Sequence, residues 1–375
     1  MWLGLDDTDS LSGGCTTLVF HQLLDSLPCG HGEPRLVRLW PFASRRTRGN
    51  AALAVEIENY EGIAEWLDEY WNKYILPLKG NISLSEHDSR EQFPSDPGMV
   101  LFDTQPDPEL YWKAVRGEAT FIDGGIQWGG HGRIGATAAC AWPGNNSTWE
   151  GIAWRKGERL VDEGALKIVD GFEGTFLCRD PRTERGLISP RGPCPVMFGV
   201  RATTKSVAKK STQILLEGSS PTTGSRIFQT NQASWDHVSG CSKHTVLRKE
   251  MMKGGHIIIN DFLLSFREGG PVNLISQFLT EGDEIAVVGM EYERMLHIEA
   301  IKVLHSTAKS RPICDCGTRM KSMGQNQGIR CPECKNISSD EWIEVERIPP
   351  FEGWVQPDYD SRRHLAGDLS TNPKW

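Results

Sequence analysis

Apolar and polar positions along the first eighty residues follow two periods. MWLGL (1–5) reads as a short apolar strand, and TTLVFHQLLDSL (16–27) sets apolar residues at helical spacing until Pro28 stops the run. PRLVRLWPF (34–42) and AALAVEIEN (51–59) alternate as strands do. Tyr60 to Leu76 forms a second amphipathic helix, ended by Pro77. The stretch from His87 to Gly98 is polar and broken by prolines, as expected of a linker or exposed loop.

A second α/β-like segment follows. DPELYWKAV (107–115) predicts a helix, GRIGATAACAW (132–142) a glycine-led helix or strand, and PCPVMFGVRA (193–202) a closing strand. ATTKSVAKKST (202–212) reads as a polar bridge. Beyond it, TQILLEG (212–218), TVLRKEMMKGGHIIIND (245–261), DEIAVVGMEY (283–292) and MLHIEAIKVL (295–304) are β-rich and separated by glycine-bearing turns. That spacing predicts a small barrel of about five strands, of the OB type. No internal repeat or low-complexity tract interrupts the pattern.

The 375 residues leave room for two to four domains, and 38% apolar with 24% charged residues describes a soluble globular chain. No stretch reaches the roughly 18 uninterrupted apolar residues of a membrane span. Asp6 and Asp7 come too early for a signal peptide, so a cytoplasmic protein with no membrane partner is expected. The net charge of -8 is unevenly spread. Residues 1–199 carry 19 basic and 28 acidic side chains, residues 200–335 carry 18 and 13, and residues 336–375 carry 4 and 8. A basic middle behind an acidic front suggests that a polyanion docks on one part only.

Four of the ten cysteines crowd into RPICDCGTRMKSMGQNQGIRCPECKN: Cys314, Cys316, Cys331 and Cys334. A C-x-C knuckle and a C-x2-C knuckle joined by a hairpin offer zinc a closed tetrahedron of thiolates, which is a structural site. Arg319, Lys321, Arg330 and Lys335 in and beside the knuckles suit phosphate contact.

LDDTDSLSGGCTTLV (5–19) carries the other chemistry. Asp6, Asp7 and Asp9 follow a strand, where α/β enzymes place their sites, and grouped hard oxygens suit Mg²⁺. Gly13 and Gly14 allow backbone N–H groups to approach a phosphate, the helix starting near Thr16 points its positive end there, and the hydroxyls of Thr16 and Thr17 suit metal or phosphate. No lysine is present, so arginines from elsewhere must help to offset a polyphosphate. Two other readings compete. Asp9, Ser10 and Thr16 suit a turn and a helix cap. Asp7-Thr8-Asp9 imitates a D-x-D nucleotide phosphatase, although Leu11 stands where that pattern prefers Thr or Val.

GLDDTDSLSGGCTT, RRTRGN (45–50), DPGMVLF, GHGRIGATAA, PCPVMFGVRA, RIFQTNQASWDHV (226–238) and the four cysteines, in this order, resemble the archaeal isoleucine-tRNA 2-agmatinylcytidine synthetase family along almost the whole chain. The resemblance implies a multidomain α+β fold: a kinase-like domain (1–93), a ferredoxin-like domain (94–202), an OB barrel that binds tRNA (212–306), a zinc ribbon (310–346) and a C-terminal tail (347–375). It implies a ligase that consumes ATP, releasing AMP and diphosphate. The enzyme phosphorylates the C2 oxygen of the wobble cytidine in the CAU-anticodon isoleucine tRNA and displaces that phosphate with agmatine, so that AUA is read. Asp6, Asp7 and Asp9 become the Mg²⁺ and catalytic carboxylates, and Thr16 the family's autophosphorylated threonine. Gly13, Gly14 and Thr17, with Arg48 and Asn50 of TRGN, become ATP contacts; TRGN also suits a tight turn into the next strand. Phe228 and Trp235 are candidate stacking aromatics, each also suited to a core. GHGRIGA departs from the family's GRGLIGA-like run, with His131 and Arg133 displaced. A non-enzymatic OB and zinc-ribbon RNA binder is the remaining alternative.

Overall fold

The first strand and the strand that begins at Ala51 lie side by side, and what packs on their two faces organises the first half of the chain. The computed structural model describes residues 1–9, 13–46, 50–80, 93–190, 192–324, 327–339 and 342–369. Its described residues divide into two units, Met1–His237 with 363–369, and Val238–Arg362.

The first unit opens with β1 (Trp2–Asp6), α1 (Thr16–Ser26), β2 (Arg35–Arg38), β3 (Ala51–Glu56) and α2 (Ile63–Tyr70). It continues through β4 (Gly98–Phe102), α3 (Glu109–Val115), β5 (Ile126–Gly129), α4 (Gly132–Ala141) and β6 (Thr148–Arg155). α5 (Glu163–Asp170), β7 (Thr175–Phe176), β8 (Val196–Ala202), α6 (Lys205–Glu217) and β9 (Thr222–Thr230) complete it. Among the described residues the strands form one sheet in the order β5-β4-β1-β3-β2-β9-β6-β8-β7. Its two halves meet at the parallel pair β2–β9, where Arg35 faces Gln229 and Leu36 faces Thr230.

Strand alternation sends Leu3 and Leu5 to one face, with Leu53 and Val55, against Phe20, Leu23 and Leu24 of α1 and Ile63 and Leu67 of α2. Trp2, Ala52, Ala54 and Val100 point to the other face, under α3 and α4. Each fully buried Leu or Phe here contributes about 2 kcal/mol. GRIGATAACAW resolves as the helix α4. Its small side chains let it sit directly on β1, where a Cβ on Gly4 would lie 2.5 Å from the Ala136 carbonyl oxygen.

Several expectations change. β4, expected to lie beyond a break at 93/94, pairs residue by residue with β1, Trp2 opposite Phe102 through Asp6 opposite Gly98, so the sheet runs across that break. ATTKSVAKKST and TQILLEG are not a bridge and a strand: they are the end of β8 and one helix, α6, capped by the Thr204 hydroxyl accepting from the Val207 N–H. Ala208, Ser211, Thr212 and Leu215 fall on its buried face at helical spacing. RIFQTNQASWDHV does not open a barrel; its first residues are in β9, in the middle of the first unit's sheet. Phe228 is fully buried there and Trp235 nearly so, which makes both core residues and no stacking platform.

The second unit contains β10 (Cys241–Thr245), β11 (Lys249–Met251), β12 (Ile257–Ile259), β13 (Leu263–Ser265), α7 (Pro271–Phe278), β14 (Glu284–Tyr292) and β15 (Met295–His305). Then follow β16 (Thr307–Ser310), β17 (Lys321–Ser322), β18 (Ile329–Arg330), β19 (Ile337–Ser338), β20 (Ile343–Glu346) and β21 (Trp354–Val355). Its main sheet runs β10-β14-β15-β13-β12-β11, with β21 added to β15. Among the described residues β10 and β11 end that path without pairing, so the expected closed barrel is not formed. α7 fills the core beneath the sheet with Val272 and Ile275, against Ile257, Ile259, Ile285 and Ile301. β17, β18 and β19 form the small sheet that carries the cysteine knuckles. No helix among the described residues is long and apolar enough to cross a membrane.

Candidate active site

A cavity of about 830 Å³ in the first unit is lined by Asp6, Asp7, Asp9, Thr16 and Thr17, among others. Arg38, Glu150, Gly199, Arg201 and His364 also line it. The acidic loop leaves β1 at Asp6. Asp7 then takes a left-handed backbone (φ 59°), and its N–H donates to Asp6 Oδ1 at 2.7 Å. The other Asp6 oxygen is pressed against α4: a Cβ on Gly135 would lie 1.9 Å from Oδ2, and one on Gly132 would lie 2.4 Å from the Asp6 carbonyl oxygen. GHGRIGA therefore supplies the two glycines that let α4 close over Asp6. The displaced polar residues do other work. His131 donates its N–H to Asp96 Oδ2 at 2.8 Å, and Arg133 bonds Gln127 Oε1 at 3.2 Å.

Asp96 opens the DPGMVLF run that shares in the family resemblance, although nothing in that run gives it a role at the site. It ties the α4 N-terminus to Lys79 at 2.9 Å, and its own N–H donates to Asp7 Oδ2 at 3.2 Å. Burial and the neighbouring Asp7 and Asp9 charges drive the Asp6 carboxyl well above its ordinary range. Burial and Asp9 push Asp7 up to about 7, against the lowering pull of the Asp96 N–H and Arg45. Ionising this group costs energy until a cation arrives.

Thr16 is nearly buried at the start of α1, and its hydroxyl donates to Asp9 Oδ1 at 3.5 Å. Among the described residues no side chain caps that helix end. Gly14 holds φ 82° and passes so near Asp9 that a Cβ would lie 3.1 Å from its Cα. The Thr17 hydroxyl is engaged within the protein, accepting from Trp154 Nε1 at 3.1 Å and bonding Cys15 Sγ at 2.9 Å. Asn50 lines the cavity while Nδ2 donates to the Trp40 carbonyl at 2.8 Å, which closes the loop entering β3. Arg48 lies outside the described residues, as do Ser10, Leu11 and Ser12.

Four soft ligands do converge. The Sγ atoms of Cys314, Cys316, Cys331 and Cys334 all lie within 4.8 Å of one another, with 3.4 Å between Cys314 and Cys334 and between Cys316 and Cys331. Bonds of about 2.3 Å to a tetrahedral zinc fit that spread. Each knuckle is a tight turn: the Gly317 N–H bonds the Cys314 carbonyl at 2.7 Å, and the Cys331 N–H bonds the Asn336 carbonyl at 2.8 Å. Among the described residues the aspartates form no comparably tight group.

Comparison with known proteins bears on the whole chain. Residues 2–123 match the TiaS TCKD domain, 130–237 the TiaS FLD domain and 311–348 the TiaS C-terminal zinc ribbon domain. The isoleucine-tRNA 2-agmatinylcytidine synthetase TiaS of Methanocaldococcus jannaschii is 30% identical over 98% of this chain and 97% of its own. The chain belongs to the TiaS family. The TiaS protein of Methanopyrus kandleri is 28% identical over 92% of this chain and 90% of its own. The fold of apo TiaS superposes with a TM-score of 0.77 at 25% identity, over 99% of this chain and 97% of that one. A tRNA fluorescent labeling enzyme gives 0.80 at 25% identity, with the same coverage. The two larger TiaS matches flank β5 and share one sheet, the first ending at 123 and the second starting at 130.

Proposed function

We propose that this protein is the ATP-dependent ligase that joins agmatine to C2 of the wobble cytidine of the CAU-anticodon isoleucine tRNA, making 2-agmatinylcytidine. The observation that carries this is the end-to-end likeness to isoleucine-tRNA 2-agmatinylcytidine synthetases, 30% over 98% of the chain, in a protein whose motif residues Asp6, Asp7, Asp9, Cys15, Thr16 and Thr17 line its cavity. The solved TiaS complexes that share the fold contain an isoleucine tRNA with ATP, and the same tRNA with an ATP analogue and agmatine. We further propose that 1–93 and 94–202 correspond to kinase-like and ferredoxin-like parts joined by one sheet, that the OB-type part begins after His237 and not at 212, and that the protein works in the cytoplasm.

The C2 oxygen of cytidine is amide-like and leaves poorly, so it must first receive a phosphoryl group: it attacks the terminal phosphorus of ATP, that P–O bond breaks and the rest of the nucleotide leaves. The agmatine amine then attacks C2, the C2–O bond breaks and phosphate departs with the oxygen. Asp7 and Asp9 are the carboxylates we assign to Mg²⁺, because Asp6 gives one oxygen to the Asp7 N–H and rests the other against Gly135. Mg²⁺ commonly takes one or two carboxylates and completes its shell with phosphate oxygens and water. When bound it would draw charge from the transferring phosphoryl group. Asp6 positions Asp7; Asp9 holds the Thr16 hydroxyl and accepts its proton when that oxygen attacks a phosphorus of ATP, the P–O bond breaks and the rest of the nucleotide leaves. Gly13, Gly14 and the first turn of α1 face the phosphates. Thr17 orients that turn through Trp154. The cysteine hairpin holds structural zinc, and Arg319, Lys321, Arg330 and Lys335 in and beside it carry the RNA.

Incubation with ATP, labelled agmatine and tRNA tests the reading. Label must enter the CAU-anticodon isoleucine tRNA and no other. ATP loss independent of tRNA would point to a phosphatase, and RNA binding without turnover to a plain binding protein.

A further inference from the structure

Opposite in charge to the aspartates, a second cluster lines the same cavity. Arg38 Nη2 donates to Glu150 Oε2 at 3.4 Å, Arg201 Nε lies 3.9 Å from Glu150 Oε1, and Gln232 bonds both Glu150 and the Arg201 Nε. β8 is glycine where the carboxylate crosses it, since a Cβ on Gly199 would lie 2.4 Å from Glu150 Oε1. Two guanidiniums thus share one buried carboxylate, and Arg38 Nε is buried with no hydrogen-bond partner among the described residues.

The chain end adds a third group. Residues 363–366 run beside 233–235, with the Ala233 N–H on the His364 carbonyl at 3.0 Å and the Trp235 N–H on the Leu365 carbonyl at 2.8 Å. Leu365 and Ala366 are buried, while His364 is open to the cavity. Arg38 first, then the surrounding protein and Arg201, hold its imidazole well below the usual range. A site with two cations, one anion, a spare N–H and a neutral imidazole is one negative charge short of balance. Glu150 is fully engaged, so the dication agmatine finds no partner here.

We infer that Arg38, Arg201 and His364 form a phosphate-binding pole in the cavity wall, held open by Glu150 and Gln232, which receives a phosphoric anion. The proposed function bears only on where that phosphate originates: the diphosphate portion of the nucleotide, or a backbone phosphate of the RNA.

The test uses the full chain and two variants. His364→Ala leaves the Glu150 hydrogen bonds intact. Arg201→Lys keeps the charge but loses the fork geometry that pairs with phosphate. Binding of inorganic pyrophosphate and of tRNA is measured by titration calorimetry, with thermal melts confirming that each variant folds. If pyrophosphate binds at least about tenfold more weakly in both variants and tRNA affinity holds, the pole takes the nucleotide's phosphates. If tRNA weakens instead, the pole takes an RNA phosphate. Unchanged affinity for both ligands, in variants that melt like the parent, overturns the inference. Agmatine transfer by the parent protein is scored separately. Its absence alongside weakened pyrophosphate binding would defeat the proposed function and leave the pole standing.

Discussion

The two charged clusters that line the cavity are built in opposite ways. The acidic cluster comes from one stretch, Asp6 to Thr17, in which a strand, a left-handed turn and a helix start follow one another. The basic cluster gathers Arg38 from β2, Glu150 from β6, Arg201 from β8, Gln232 after β9 and His364 from the chain terminus. The first is local chemistry and the second tertiary. A local cluster tolerates changes elsewhere in the fold, whereas an assembled one depends on each strand holding its register.

The sharpest way to break the comparison is Asp7→Asn. Loss of one charged group from the acidic cluster should lower phosphoryl transfer about 10³-fold with tRNA affinity retained. The same variant should be more stable than the parent at pH 8. A carboxyl raised to about 7 holds its proton more tightly folded than unfolded, so its destabilising effect is absent below its ordinary value and grows as pH rises towards 7. Thermal melts at pH 4 and pH 8 should show a gain on the order of 1 kcal/mol, at the higher pH only. A parent and variant that melt alike at pH 8 would contradict that burial cost.

Gly135→Ala reaches the acidic cluster through α4. The added methyl collides with Asp6 Oδ2, so we expect a loss of about 1–3 kcal/mol in urea unfolding, with kcat falling and KM for ATP nearly kept. Asn231→Ala probes the assembled cluster. Asn231 Oδ1 accepts the Arg38 N–H at 2.7 Å, and its Nδ2 donates to the Arg38 carbonyl at 2.9 Å and to the Tyr111 hydroxyl at 2.8 Å. It thus extends the β2–β9 ladder with a side chain. Its loss should cost about 1–3 kcal/mol and weaken pyrophosphate binding while the Mg²⁺ binding proposed for the aspartates is unaltered. Chelation of zinc should disturb the cavity least. The Cys314–Cys334 hairpin should unfold and tRNA-dependent turnover fall, with the thermal transition of the first unit unmoved.

Legibility follows the same division. DDTDS, GGCTT and the cysteine knuckles announce themselves because their residues are neighbours along the chain and their chemistry is unusual. α4 is ambiguous in the sequence because alanine and glycine carry no strong period, and only contact with β1 at Gly4 decides for a helix. TQILLEG resembles a strand because its apolar run is short; joined to KSVAKKS it completes the face at Ala208, Ser211, Thr212 and Leu215. FQTNQ resembles the start of a new domain, yet Phe228, Thr230 and Asn231 are fully buried in the first unit. His364 sits in an acidic tail with no motif around it, and nothing local marks it.

The order of amino acids by itself determined the acidic loop, the zinc ligands, most helix and strand starts and the family, because each rests on side chains within a few positions of one another. The three-dimensional structure alone decided that β4 and β9 enter the first sheet, that the second unit's sheet stays open, and that the C-terminus delivers His364. Those outcomes depend on which apolar faces and backbone hydrogen bonds find partners far apart along the chain. A one-dimensional pattern names the groups that seek partners and leaves the pairing to packing.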